Sequence, residues 1–218
     1  MEPQLRIVLR PLASGLPLGF FAFGLGMAIL GAEGVGWSTG SDLKVCGLLL
    51  AAYVFPLEAT AMVFAFLSRD TIGAVALGLF TTSWLAIGVV TMQATPGSTS
   101  DALGIFSIWF SATVLLIAIA GITAKPFIST VMFVAVARSA LFGVYELTGN
   151  VGWERAGGWL GWAIAVLALY GGLAFALEDA RGETVLPTFR RGSAQVIDES
   201  LDGQVERIEN EAGVRRQL

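Results

Sequence analysis

Six apolar stretches, each long enough to cross a lipid bilayer, constrain this chain more than any other feature of its sequence. A helix needs about 20 mostly apolar residues to span the hydrocarbon core. Charged and turn-forming residues divide the chain into stretches at roughly 15–32, 45–67, 72–94, 102–123, 127–148 and 157–178. The connections between these stretches are too short to hold a soluble domain. We therefore predict an all-α membrane protein built as a bundle of six transmembrane helices.

The composition agrees with this fold class and favours a helix bundle over a barrel. Only 14% of the 218 residues are charged, against about 25% in soluble domains, and the mean hydropathy is +0.74. Glycine contributes 27 residues, an enrichment that lets transmembrane helices approach closely. The spaced pairs Gly15/Gly19 and Gly157/Gly161 predict two such contacts.

Several function classes are excluded by what the sequence lacks. The chain has no histidine, which removes His-ligated zinc or haem and His-dependent catalytic triads, and its one cysteine, Cys46, cannot form an intramolecular disulfide. Lys44 and Lys125 lie at span ends, so neither suits a buried Schiff base. The net charge is −4, and the sequence has no basic patch of the kind that binds nucleic acid. We expect no enzyme activity, cofactor, metal site or nucleic-acid partner.

The positive charges near the span ends predict the orientation of the chain. By the positive-inside rule, both termini should be cytoplasmic. The predicted organisation is a cytoplasmic N-terminal segment at 1–14, a six-span membrane domain at 15–187 and a polar cytoplasmic tail at 188–218. The tail is either disordered or a short amphipathic helix, since apolar residues recur in it at helical spacing. The seven cations of the cytoplasmic face are Arg6, Arg10, Arg69, Lys125, Arg181, Arg190 and Arg191, against Lys44 and Arg155 on the other face.

Two ionisable residues, Glu58 and Arg138, fall inside spans rather than at their ends. At 1.5 Å per residue, both should lie near the bilayer midplane, so we expect them to meet across the bundle or between protomers. They form either a buried ion pair that determines helix register or part of a solute path, on which intramembrane charges usually lie. Glu33 and Glu146 lie near span ends and are expected to be solvated interfacial acids.

Three motifs in order along the chain resemble the acetate uptake transporters, a family that includes the bacterial succinate–acetate permeases. The family's first-span signature resembles residues 14–20, in which its core is kept as Pro17, Leu18 and Gly19. The opening of the third span is similar to residues 70–73, and the last region is similar from 149 to 187. The resemblance covers about residues 11–187.

This resemblance implies a homo-hexamer in a bacterial-type inner membrane, with a pore in each protomer. In relatives, aromatic residues of the first and third spans and an aliphatic residue of the fifth form a hydrophobic constriction. Those positions fall on Phe23, Phe80 and Ala135. The third-span residue is a tyrosine in relatives, so Phe80 lacks its hydroxyl group, and Ala135 should widen the constriction.

The departures from the family are electrostatic. A path-lining glutamine of relatives falls on Glu58, a fifth-span asparagine falls on Glu146, and Arg138 replaces an apolar residue. If Glu58 neutralised Arg138 at rest, protonation of Glu58 would free the arginine for an anion. Passage would then be proton-coupled or pH-gated.

The function predicted from these residues is a membrane transporter or channel for acetate or a similar small monocarboxylate. A urea or short-amide channel of the same architecture is an alternative within the same class. A membrane-embedded interaction or sensory module, with the polar tail as its output, is an alternative from another class.

Overall fold

The structure is a computed structural model that describes residues 12–191. Within this range the chain forms six helices that are long and apolar enough to cross a membrane, and no strand, which confirms the predicted fold class. The interpretations placed on Arg6, Arg10 and the tail beyond 191 lie outside the described residues. The helices are α1 (Leu16–Gly34), α2 (Asp42–Leu67), α3 (Thr71–Gln93), α4 (Asp101–Gly121), α5 (Pro126–Thr148) and α6 (Val151–Arg181).

The last helix begins earlier than the apolar pattern predicts, at Val151 rather than at 157. Gly149 ends α5 in the left-handed conformation, with a φ of 67°, and the Asn150 side chain then accepts a hydrogen bond of 2.9 Å from the Gly152 amide. The charged pair Glu154 and Arg155 marked this segment as a loop in the sequence. These residues instead occupy the first turns of a helix that extends past the apolar core.

The second helix is continuous but contains one wide turn. Residues Leu50–Val54 form a π-helical segment that leads into Pro56. A proline inside a helix lacks its amide donor, and its ring clashes with the carbonyl four residues earlier, so the hydrogen-bond ladder widens there. The wide turn comes just before Glu58 and therefore affects which way that side chain faces.

Small residues bring α1 and α6 close together along much of α1. A Cβ atom on Gly158 would lie 2.7 Å from the carbonyl carbon of Gly34, and one on Gly161 would lie 3.1 Å from the Cα of Gly31. The close contact predicted at Gly161 is thus confirmed. Gly157 faces α5 instead, where a Cβ would have ordinary contacts. The other close pairs are α4 with α5, α2 with α3, and α5 with α6.

The helices run alternately up and down, so the bundle has two ends. We call the end where α1 begins the proximal end and the other the distal end. At the proximal end, Asp70 caps α3 by accepting a 2.9 Å hydrogen bond from the Gly73 amide, and it also binds the Lys125 ammonium before α5. Burial lowers the pKa of Lys125, and the neighbouring Asp70 carboxylate partly offsets that shift.

The outward faces of the bundle are apolar. Trp109 on α4 is 71% exposed, and Leu116 and Val166 are also strongly exposed. A surface of this kind is expected where lipid or another membrane protein covers the helices.

Candidate substrate path

Three cavities follow one another through the bundle from the distal to the proximal end. The distal cavity holds about 450 Å³ and opens among the helix ends and the connecting loops. The middle cavity is about 20 Å³ and the proximal cavity about 40 Å³. Arg138 lines both the distal and the middle cavity, and Phe80 lines both the middle and the proximal one. These shared residues make the three cavities one interrupted path.

Aromatic rings close the path between the middle and proximal cavities. The rings of Phe23 and Phe80 meet edge to face, with centroids 4.7 Å apart, so the structure brings these two predicted constriction residues together. Ala135 is fully buried and lines none of the three cavities. It lies on α5 between Met132, which lines the proximal cavity, and Ser139, which lines the middle one. With helical spacing it is on the same face, at the level of the two rings.

Glu58 is completely buried, with 0% exposure, and lines the proximal cavity. Its Oε2 atom accepts a hydrogen bond from the indole Nε1 of Trp84 on α3. Its Oε1 atom is buried without a hydrogen-bond partner. The carboxyl group therefore keeps one oxygen without a hydrogen-bond partner beside this cavity.

Arg138 reaches the path from α5 on the other side of the Phe23–Phe80 contact. It is 6% exposed, its Nε atom has no hydrogen-bond partner, and its guanidinium carbon lies 5.8 Å from the centre of the Phe142 ring. Between residues 12 and 191, no ion pair joins it to Glu58. Within the protomer the two charges do not meet, because the Phe23 and Phe80 rings lie between the cavity that Arg138 lines and the cavity that Glu58 lines.

Two acids expected at a solvated interface lie inside the distal cavity instead. Glu146 is 6% exposed, and its Oε2 atom accepts a 2.7 Å hydrogen bond from the Ser100 amide. Glu33 lines the same cavity, and its Oε2 atom is buried without a hydrogen-bond partner. Both residues lie near helix ends, and the loop at Ser100 covers Glu146.

The three signature residues of α1 face different surroundings. Pro17 is in the first turn, where a proline costs no helical hydrogen bond, and Leu18 points outward. Gly19 lines the proximal cavity, where a Cβ atom would lie 2.6 Å from a methyl carbon of Leu77. Of the three, Gly19 is the one in contact with the path.

Comparison with known proteins agrees with the motifs. The bacterial acetate channel SatP has the same fold, with a TM-score of 0.72 and 21% sequence identity over 82% of this chain and 99% of that one. No curated protein sequence matches this chain. Residues 1–190 match the GPR1/FUN34/yaaH family. The resemblance drawn from the motifs is thereby confirmed, and the chain belongs to the GPR1/FUN34/yaaH family.

Proposed function

We propose that this protein carries acetate or a similar small monocarboxylate across a bacterial-type inner membrane. The observation that supports this most directly is Arg138, a buried cation at the junction between a wide cavity and an aromatic constriction. The acetate channel of the same fold supports the same substrate class. As in the acetate uptake transporters that the motifs resemble, six copies assemble, each with its own path.

The chemistry of the path suits a small anion. A short-chain carboxylic acid titrates near the pKa of glutamic acid, about 4.3, so it is mostly ionised at neutral pH and crosses lipid poorly. Arginine binds a carboxylate through two parallel charge-assisted hydrogen bonds. The rings of Phe23 and Phe80 would strip most of the hydration shell, and Arg138 would offset that loss.

The orientation follows from the charges at the proximal end. Arg69, Lys125 and Arg181 lie near helix ends there, and Arg190 pairs with Glu178 near the end of α6, whereas Lys44 and Arg155 lie at the distal end. By the positive-inside rule the proximal end is cytoplasmic, and so are both termini. The distal cavity then opens to the outside, and solute entering from there meets Arg138 before the constriction.

Flux through purified protein in proteoliposomes tests the proposed substrate class. We expect labelled acetate to enter faster than in protein-free vesicles, and we expect propionate, but not urea or acetamide, to compete with it. The reason is that Arg138 can pair with a carboxylate and not with a neutral amide. Competition by urea as strong as that by propionate would instead identify an amide channel. Protein that is monodisperse and gives no acetate flux would refute the proposal.

Proton coupling through Glu58 belongs to the same proposal. Its unpartnered Oε1 atom in the proximal cavity can take up a proton, which changes the charge beside the constriction. Glu58→Gln keeps an acceptor for Trp84 and removes the titration. We expect the protein-dependent acetate flux to vary with pH between about 5 and 8 in the wild type and to be flat in this variant.

The control for this experiment is Glu183→Gln, an exposed residue outside the path. It should keep the wild-type pH profile. Profiles for Glu58→Gln and wild type that run parallel over the whole range would exclude Glu58 as the titrating group.

A further inference from the structure

The distal cavity presents both signs of charge to whatever enters it. Arg138 lines it together with Glu33, Glu146 and Glu154, and Arg155 lies at its exposed rim. Glu33 is within electrostatic range of Arg138 and of the other two carboxylates. With three acids against two cations, the lining has a formal charge of −1. A site adapted only to a simple anion would not have an acidic excess.

The charges in this cavity are near one another yet not paired. No ion pair among the described residues joins Glu33 to Arg138. The Oε2 atom of Glu33 and the Nε atom of Arg138 are both buried without a hydrogen-bond partner. Glu146 uses one oxygen for the Ser100 amide. Burying charged groups that are not paired with an opposite charge costs free energy. This cost falls when a ligand places a group of opposite charge beside each of them.

We propose that the preferred substrate is a short zwitterionic amino acid, whose carboxylate binds Arg138 and whose ammonium group binds Glu33 and Glu146. This inference rests on the proposed function, since it narrows the monocarboxylate class to members that carry an amino group. A plain carboxylate such as acetate satisfies Arg138 but supplies neither acid with a positively charged partner and is repelled by both. The volume of about 450 Å³ accommodates a molecule with two charged groups and its remaining water.

The path beyond the constriction is consistent with the same substrate. The first charged side chain on the proximal side is Glu58, whose Oε1 atom is buried and unpartnered. A carboxylate there can accept a hydrogen bond from an ammonium group but repels a bare anion. A zwitterion therefore finds a partner of opposite charge on each side of the two rings.

Uptake into proteoliposomes of the full chain tests the inference with four labelled probes: glycine, β-alanine, acetate and methylamine. We expect glycine or β-alanine to enter faster than acetate, and methylamine to enter slowest. Glu33→Gln should lower amino-acid uptake about tenfold or more, since it removes a charge-assisted hydrogen bond, and should lower the ratio of amino-acid uptake to acetate uptake. Glu146→Gln keeps an acceptor for the Ser100 amide and should act in the same direction. Glu183→Gln should change neither rate.

The possible outcomes separate this inference from the proposed function. Uptake of acetate without uptake of either amino acid would overturn the inference and leave the monocarboxylate path intact. Amino-acid uptake whose ratio to acetate uptake is unchanged in both Glu33→Gln and Glu146→Gln would also overturn it. No uptake of any carboxylate by monodisperse protein would refute both. The ranking of the four probes needs no variant, so a misfolded variant does not prevent the test.

Discussion

Arg138→Gln is expected to lower carboxylate flux at least about tenfold while the bundle stays folded. Hydrogen bonds to a charged group contribute about 1.5–3 kcal/mol, and each 1.4 kcal/mol is about a factor of ten. Arg138 is the cation at the entrance to the constriction, so no neighbouring charge replaces it in the middle cavity. Gln has a shorter polar side chain and cannot form the two charge-assisted bonds of a guanidinium with a carboxylate.

The thermal stability of Arg138→Gln distinguishes a role of Arg138 in the path from a structural role. Within residues 12–191 Arg138 takes part in no ion pair, and burying an unpaired charge is costly, so its removal should keep or raise the thermal midpoint of the protein in detergent. Arg181→Gln removes an exposed cation outside the path and should keep wild-type flux. Wild-type acetate and amino-acid flux in Arg138→Gln would contradict the role given to this arginine. A large fall in its thermal midpoint would indicate that the charge supports the fold.

Gly158→Ala is expected to lower the free energy of unfolding by more than about 3 kcal/mol. Adding a methyl group to a well-packed core typically costs about 1–3 kcal/mol. The added Cβ would lie 2.7 Å from the backbone at Gly34 and Val35, so the neighbouring atoms cannot move aside by changing a side-chain rotamer. Relief requires α1 and α6 to separate, and theirs is one of the two most extensive helix contacts among the described residues. We expect a markedly lower thermal midpoint and loss of monodisperse protein in gel filtration.

The adjacent glycine provides the matched control. A Cβ on Gly157 would have its nearest contact at 3.7 Å, an ordinary van der Waals distance. Alanine is also a better helix former than glycine by about 1 kcal/mol. Gly157→Ala should therefore be neutral or stabilising. Equal effects of the two substitutions would show that helix propensity, and not the approach of α1 to α6, governs this region.

The charged residues of the path differ in how far the sequence could identify them. Glu58 and Arg138 stand out because a charge within an apolar span is rare. Their partners do not stand out, because counting residues along one span does not identify the side chains of other helices that lie beside it. Glu58 contacts Trp84. For Glu33 and Glu146 the sequence predicts solvated interfacial acids, because nearness to a span end is typical of such residues, whereas the structure places both in the distal cavity. Folding of the loop at Ser100 over Glu146 makes the difference.

The six spans, their order and the family were determined by the sequence alone, because the cost of exposing polar backbone in lipid leaves few ways to fold such a chain. Glycine spacing likewise indicated that the helices approach closely. What only the tertiary structure decided is which side chains share a cavity. The π-helical turn before Glu58, the rings between Glu58 and Arg138, and the enclosure of Glu33 and Glu146 each depend on contacts between distant segments. Periodicity along one helix carries no information about such contacts. These contacts are what keep Glu58 and Arg138 apart.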